Sequence, residues 1–173
     1  AWDMQEHCQQ MLADAGYAQY EISAYAQAGR RSRHNDNYWH FGDYLGIGAG
    51  AHGKISDAAS GRIRRRAKQR TPRGYLEHAG TQRDVELAQI DLPFEYMMNA
   101  LRLVQGVPSA DFAKLTGLGF DAIAPTIELA RGNGWITNDP ESLRTTAEGQ
   151  RLLNDVIGLF LPVVSEESGK RHA

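Results

Sequence analysis

Apolar residues recur at helical spacing over the first fifteen positions. Met4, Cys8, Met11, Leu12 and Ala15 share one face, and Gly16 is placed to end the element, which predicts a helix over 2–15. Residues 17–25 (Tyr-Ala-Gln-Tyr-Glu-Ile-Ser-Ala-Tyr) alternate instead and carry aromatics, which predicts a strand. The polar, basic stretch 26–43 reads as a loop, and Tyr44-Leu45-Gly46-Ile47-Gly48 as a short buried strand. Ser60-Gly61 is a turn signal, so Lys54-Ile55-Ser56 and Arg62-Ile63-Arg64 form the arms of a hairpin.

From about residue 76 the texture changes to helices with short links. Pro93 opens a helix striped by Phe94, Met97, Met98, Leu101 and Val104, and Gly106 ends it. Pro108-Ser109 starts a second helix through Phe112 and Leu115. Asp121 caps a third, with Ile123, Ile127 and Ala130 inward, and Gly132-Asn133-Gly134 stops it. Trp135-Ile136-Thr137 and Leu143-Arg144-Thr145 read as two short strands. Thr146-Ala147-Glu148 opens a last helix with Leu152, Leu153, Val156, Ile157 and Phe160 inward. Three helices, a hairpin and a helix are the order of a winged-helix-like module, and the chain as a whole reads as α/β. The Met97–Met98 pair reads as gap-filling core. Residues 166–173 are polar and read as a frayed end.

Bulk properties narrow the function. The 173 residues, 42% hydrophobic and 23% charged, are ordinary for a globular chain. A net charge of −2 gives no overall field to attract nucleic acid or acidic membrane. No apolar run approaches a membrane span, and no signal peptide opens the chain. The lone Cys8 forms no internal disulfide, which fits a reducing, cytoplasmic setting, and it cannot hold an iron–sulfur cluster by itself. The chain opens on Ala1 inside a helix already under way, which predicts a piece of a longer protein.

The densest chemistry lies at His34-Asn35-Asp36-Asn37-Tyr38-Trp39, with Arg30, Arg31 and Arg33 just upstream and a glycine ladder from Gly42 to Gly53 downstream. A neutral imidazole ligates metals. Two aromatics offer flat apolar surface, and arginines pair with carboxylates. These are the groups a site for a flat, anionic, metal-bearing ligand such as heme would use. The plainer alternative is turn chemistry for His-Asn and core packing for Tyr-Trp. The glycine ladder does not clearly open a helix and is not a dinucleotide fingerprint. The basic run from Arg62 to Arg73 reads as a solvated face, or else as an anion or nucleic-acid patch.

Four segments together resemble a known family: Tyr20-Glu21-Ile22-Ser23; His34-Asn35-x-x-Tyr38-Trp39; Gly42-Asp43-Tyr44-Leu45-Gly46-Ile47-Gly48 through Ala51-His52-Gly53; and Pro93-Phe94-Glu95-Tyr96-Met97-Met98-Asn99-x-Leu101-Arg102. In this order they look like the C-terminal part of the HemW-type proteins, radical-SAM proteins related to oxygen-independent coproporphyrinogen III oxidase. The resemblance implies a fold in which residues 1–75 are the end of a three-quarter (β/α) barrel carrying the heme-motif loop. Residues 76–173 are then the helical, winged-helix-like C-terminal domain. It implies a [4Fe–4S] cluster and S-adenosylmethionine in the full-length parent, whose Cys-x-x-x-Cys-x-x-Cys motif is missing here, so this chain should be inactive in radical chemistry alone.

By the same resemblance His34 is the candidate axial ligand to heme iron, with Tyr38 and Trp39 completing the motif. Arg30, Arg31 and Arg33 are candidate partners for propionates. Gly50, Ala51 and His52 match a segment near S-adenosylmethionine. His40 is a second imidazole without motif support, and Glu21, on a strand end, reads as solvent-facing.

The first functional reading is a heme-binding fragment of a heme chaperone that delivers heme to acceptor proteins. The alternative is a fragment of a porphyrinogen oxidase, and a scaffolding role is the bland one. A winged-helix nucleic-acid binder is disfavoured, because the helix near 121–131 offers Asp121, Glu128 and only Arg131. Exposed sheet edges left by truncation predict dimerisation.

Overall fold

A computed structural model describes residues 2–78 and 81–162. The tail expected to fray, 166–173, lies outside the described residues. The order is α1 (Trp2–Asp14), β1 (Ala18–Glu21), β2 (Ala24–Ala26), α2 (Arg33–Trp39), β3 (His52–Asp57), β4 (Arg62–Lys68), α3 (Pro72–Glu77), β5 (Thr81–Glu86), α4 (Leu92–Ala100), β6 (Val107–Pro108), α5 (Ala110–Thr116), α6 (Ala124–Gly132), β7 (Ser142–Leu143), α7 (Ala147–Arg151) and α8 (Leu153–Gly158). All three described sheets are small and antiparallel: β1-β2, β3-β4-β5 and β6-β7.

The core lies in the second half. Tyr96, Met97, Leu101, Phe112, Ile123, Ile127, Leu143 and Val156 are almost fully buried, and each contributes roughly 1.5–3 kcal/mol of transfer free energy. Phe41 and Ile63 reach into the same cluster from the first half. Phe41, Tyr96 and Phe112 pack edge to face in sequence, with centroids 5.4 and 5.3 Å apart. Backbone bonds dock the β1-β2 hairpin on the end of α4: Ile22 donates to the Arg102 carbonyl and Val104 to that of Tyr20, both at 3.1 Å.

Several expectations need correction. The stretch 17–25 folds as a hairpin, because Glu21 turns the chain: its carboxylate accepts from the Ser23 amide at 3.0 Å and hydroxyl at 2.7 Å. Glu21 is buried, not solvent-facing. The expected loop 26–43 contains α2, started by the Ser32 hydroxyl accepting from the Asn35 amide at 3.3 Å. The expected buried strand 44–48 reduces to one bridge, Tyr44 with Lys54. Leu45 and Ile47 are 76% and 86% exposed, since the left-handed Gly48 and Gly50 turn the backbone off the ladder. The 54–64 hairpin forms and is longer than expected, with β5 as an unforeseen third strand. Helix α1 forms, but Met4, Cys8 and Met11 stay exposed. Asp121 sits in a 3-10 turn ahead of α6 rather than capping it. The last helix breaks at Leu152 into α7 and α8. The expected strand pair 135–137 and 143–145 reduces to an Ile136–Thr145 bridge, because Leu143 pairs instead with Val107 of β6, which lies between α4 and α5. Around this small β element, α4, α5, α6 and the terminal helical pair keep a winged-helix-like content.

Along β4, Ile63 faces the core, while Arg62 and Arg64 face out. Arg65 follows Ile63 at a spacing of two and so shares its face.

Candidate functional site

Helix α2 sets the geometry of the His-Asn-x-x-Tyr-Trp motif. Positions 34 and 38 are one turn apart and face the same way. The His34 and Tyr38 rings stack with centroids 5.9 Å apart and planes inclined by 22°. Tyr38 stacks in turn on Tyr44 at 4.2 Å and donates its hydroxyl hydrogen to the Tyr44 oxygen at 2.6 Å. Arg65 also donates to that oxygen at 2.6 Å and grips the Glu95 carboxylate through Nε and Nη2. Motif helix, hairpin and α4 are thereby tied by one polar chain.

Burial pushes the Tyr44 phenol well above the ordinary tyrosine range; the Tyr38 hydrogen bond adds to this, and Arg65 opposes it. Burial alone would lower Arg65, but the bonds to Glu95 outweigh it and hold the guanidinium above its ordinary value.

Trp39 turns the other way. Its ring packs against the core, the Arg102 guanidinium lies 4.5 Å above it, and its indole N–H is buried without a hydrogen-bond partner among the described residues. Arg102 also stands 3.4 Å from the buried Glu21 carboxylate. Below α2, Phe41 adopts a left-handed backbone (φ 58°) while its ring stays buried, an uncommon state for a bulky residue. The Lys54 ammonium lies 4.2 Å from the centre of that ring and donates to Asp43 at 2.9 Å and Ser56 at 3.0 Å.

The other expected site residues scatter. Arg30 is exposed; Arg31 lies over Tyr20 at 5.5 Å. Arg33 borders a shallow depression with Asp36, Asn37 and His40, away from the Tyr38 stack. His40 is engaged by its own helix, Nδ1 lying 2.8 Å from the Asp36 carbonyl. Among the described residues neither ring nitrogen of the exposed His34 is hydrogen-bonded. Gly50 and His52 border a second opening, with Ala51 beside them in the turn.

Between α2, the three-stranded sheet and α4 lies a cleft of about 350 Å³. Tyr38 and Tyr44 form one wall; Val85, Leu87 and Met98 give apolar surface; Arg65, Arg66, Arg83 and His52 line the rest. Sequence reasoning missed Tyr44, Arg65 and Glu95 as parts of this site. Arg65 was readable in principle, since the period of two from Ile63 turns it inward. Cys8 is the only cysteine, and no cluster of three or more His, Cys, Asp or Glu among the described residues could hold a metal ion, so an iron–sulfur cluster does not fit this chain. No described helix is long and apolar enough to cross a membrane.

Comparison with known proteins gives consistent results. The model of the HemN C-terminal domain family matches residues 87–152. The heme chaperone HemW of Escherichia coli (strain K12) is 45% identical over 162 residues, which cover 92% of this chain and 42% of that protein. The Haemophilus influenzae heme chaperone HemW is 43% identical over 160 residues, with the same shares. The chain thus spans less than half the length of these relatives. Among solved structures, coproporphyrinogen III oxidase (HemN) from Escherichia coli, a radical SAM enzyme, superposes with a TM-score of 0.63 over 92% of this chain and 40% of that one. At 16% identity this shows the fold.

Proposed function

Because this chain belongs to the HemW-type branch of the HemN-like radical-SAM family, we propose that it is the heme-binding C-terminal portion of a heme chaperone, with His34 as the axial ligand. The observation that carries this reading is the state of His34. Its imidazole is exposed, its nitrogens have no hydrogen-bonded partner among the described residues, and its plane is steadied by Tyr38. A nitrogen with a free lone pair binds iron without first breaking a protein hydrogen bond. The Tyr38–Tyr44–Arg65–Glu95 chain keeps the supporting ring in place, so the ligand is pre-positioned although α2 is short.

Heme is cargo in this reading. A single exposed ligand on a seven-residue helix holds it without enclosing it, which suits transfer to an acceptor protein. The cluster and S-adenosylmethionine belong to the remainder of the full-length parent. Gly50, Ala51 and His52 are proposed to lie in the vicinity of S-adenosylmethionine there. The proposed setting is cytoplasmic, and pairing of two copies through exposed sheet edges is proposed in addition; a monomeric sedimentation profile at all concentrations would exclude it. The likeness to the oxidase is one of fold, so no second reading is drawn from it.

The test is a heme titration followed by the Soret band, on this chain and on His34→Ala. A saturable, histidine-type band that the variant loses supports the reading. Equal binding by both proteins, or by neither, overturns it.

A further inference from the structure

The arginines beside the motif are poorly placed to serve a ligand that shares the Tyr38 wall. Arg31 is taken up by Tyr20, and Arg33 opens onto the depression that His40 borders. The cationic side chains that do converge come from the sheet. The cleft behind Tyr38 continues into a second opening of about 670 Å³, and the two share His52, Ala67 and Arg83. Five residues lining this groove are cationic, namely Arg65, Arg66, Arg83, Lys68 and Arg70, and one, Glu95, is anionic, although the alternation along β4 turns the Arg66 side chain to the outer face. Glu95 is already held by Arg65. Arg66 shares Asp84 with Arg64. Among the described residues no carboxylate pairs with Arg83 or Arg70.

The groove is thus divided in character. One part offers apolar and aromatic surface from Tyr38, Val85, Leu87 and Met98. The other concentrates positive charge in a chain whose net charge is −2. A concave, low-dielectric wall focuses such a field, and a guanidinium fork matches a carboxylate in both geometry and charge. The ligand class that satisfies both parts is a flat apolar ring bearing carboxylate arms.

We propose that this groove is the propionate-recognition site of the chain, with Arg83 and Arg70 holding the carboxylates and His52 beside them. The ring lies against the apolar part, and Tyr38, common to the His34 stack and to the groove wall, joins the two halves of the site. The inference rests on the heme reading given above, and assigns the carboxylate contacts to β5 and the segment after β4 rather than to Arg30, Arg31 and Arg33.

The experiment titrates two ligands into the 173-residue chain: heme, and heme dimethyl ester, which keeps iron and ring but lacks both negative charges. Each is followed by absorbance with the wild type, His34→Ala, the double variant Arg83→Gln/Arg70→Gln and its charge-preserving partner Arg83→Lys/Arg70→Lys. Both arginines are exposed, so neither pair of changes threatens the core. The glutamine pair is expected to weaken heme binding roughly tenfold, the scale of two partly screened charge contacts, to leave ester binding unchanged, and to be largely rescued by the lysine pair. His34→Ala weakens both ligands. If the glutamine pair affects neither ligand, or both equally, while His34→Ala still weakens both, the groove proposal fails and the heme reading stands. If the wild type takes up neither ligand, the heme reading fails and carries the groove proposal with it.

Discussion

Replacing Asp43 by Asn tests whether the motif helix rests on a charged foundation. The Lys54 side chain is 2% exposed, whereas that of Asp43 is 42% exposed. An ion pair open to water contributes about 0–1 kcal/mol, while removing one partner of a fully buried pair costs about 3–5 kcal/mol. This pair lies between those limits, with one buried end and one wet end, so Asp43→Asn is expected to destabilise the fold by about 2 kcal/mol at pH 7. Asp43 also accepts from the Ser56 amide and hydroxyl, both at 2.8 Å, and the amide side chain retains part of that bonding.

The pH dependence has a definite sign. Partial burial raises Asp43, but the bonds from Lys54 and Ser56 together outweigh it and hold its carboxyl below the ordinary 3.8. Its contribution is therefore present above that value and lost as pH falls through the depressed one. Burial lowers Lys54 below 10.5 against the pull of Asp43. The folded state then sheds this proton before the unfolded state does, and stability rises with pH between the two values. Without the carboxylate that window widens downward, so Asp43→Asn should regain part of its loss as pH is raised from 7 to 10. Urea unfolding monitored by tryptophan fluorescence, with Lys54→Met and the double variant completing the cycle, measures both effects. A loss below about 0.5 kcal/mol for Asp43→Asn, with no relief in the double variant, would mean that the ammonium reaches water and the argument is wrong.

Alkaline difference absorbance should show tyrosines that ionise late, because burial raises both Tyr44 and Tyr96; Tyr44→Phe and Tyr96→Phe should each remove part of the late phase. Both raised values contribute stability below pH 10 that is lost as pH rises through them. Ser32→Ala removes the first-turn cap of α2 and should cost about 0.5–1 kcal/mol in chemical denaturation, with weaker Soret binding as its functional trace; unchanged heme affinity would show that α2 is held by its contacts alone. Gly149→Ala drives a Cβ into the Trp135 carbonyl and should lower the thermal midpoint by several degrees, whereas Gly132→Ala meets open space and should be neutral or stabilising by up to about 1 kcal/mol.

What could be read from the chain was mostly what local spacing controls. The stripes of α4 and α8, the stop at Gly134 and the 54–64 hairpin depend on residues a few positions apart. The failures share a different cause. The hairpin at 18–26 exists because one carboxylate, Glu21, reaches forward to accept from Ser23, and alternation alone does not reveal a turn made by a side chain. Helix α2 is short and polar, so no apolar stripe announces it; Ser32 was the available sign. Tyr44-Leu45-Gly46-Ile47-Gly48 has the composition of a buried strand, yet the positive φ of Gly48 sends the chain outward. At the site, the motif located His34 and Tyr38, but the partners of Tyr38 stand 21 residues beyond Tyr44 (Arg65) and 30 beyond that (Glu95), distances no local pattern spans.

Strand β4 is spelled redundantly in charge and uniquely in shape. Arginine occupies 62, 64, 65 and 66, so a slip of one position would still present a guanidinium where Arg65 now meets Tyr44. Ile63 has no such understudy: the same slip would carry it to solvent and press an arginine against the core. The reading frame of the hairpin is therefore kept by one isoleucine, and the arginines follow it. Residues added or removed in the exposed 58–61 turn leave that frame intact, whereas a single insertion between Ile63 and Arg65 would shift Arg65 to the opposite face and part the motif helix from α4.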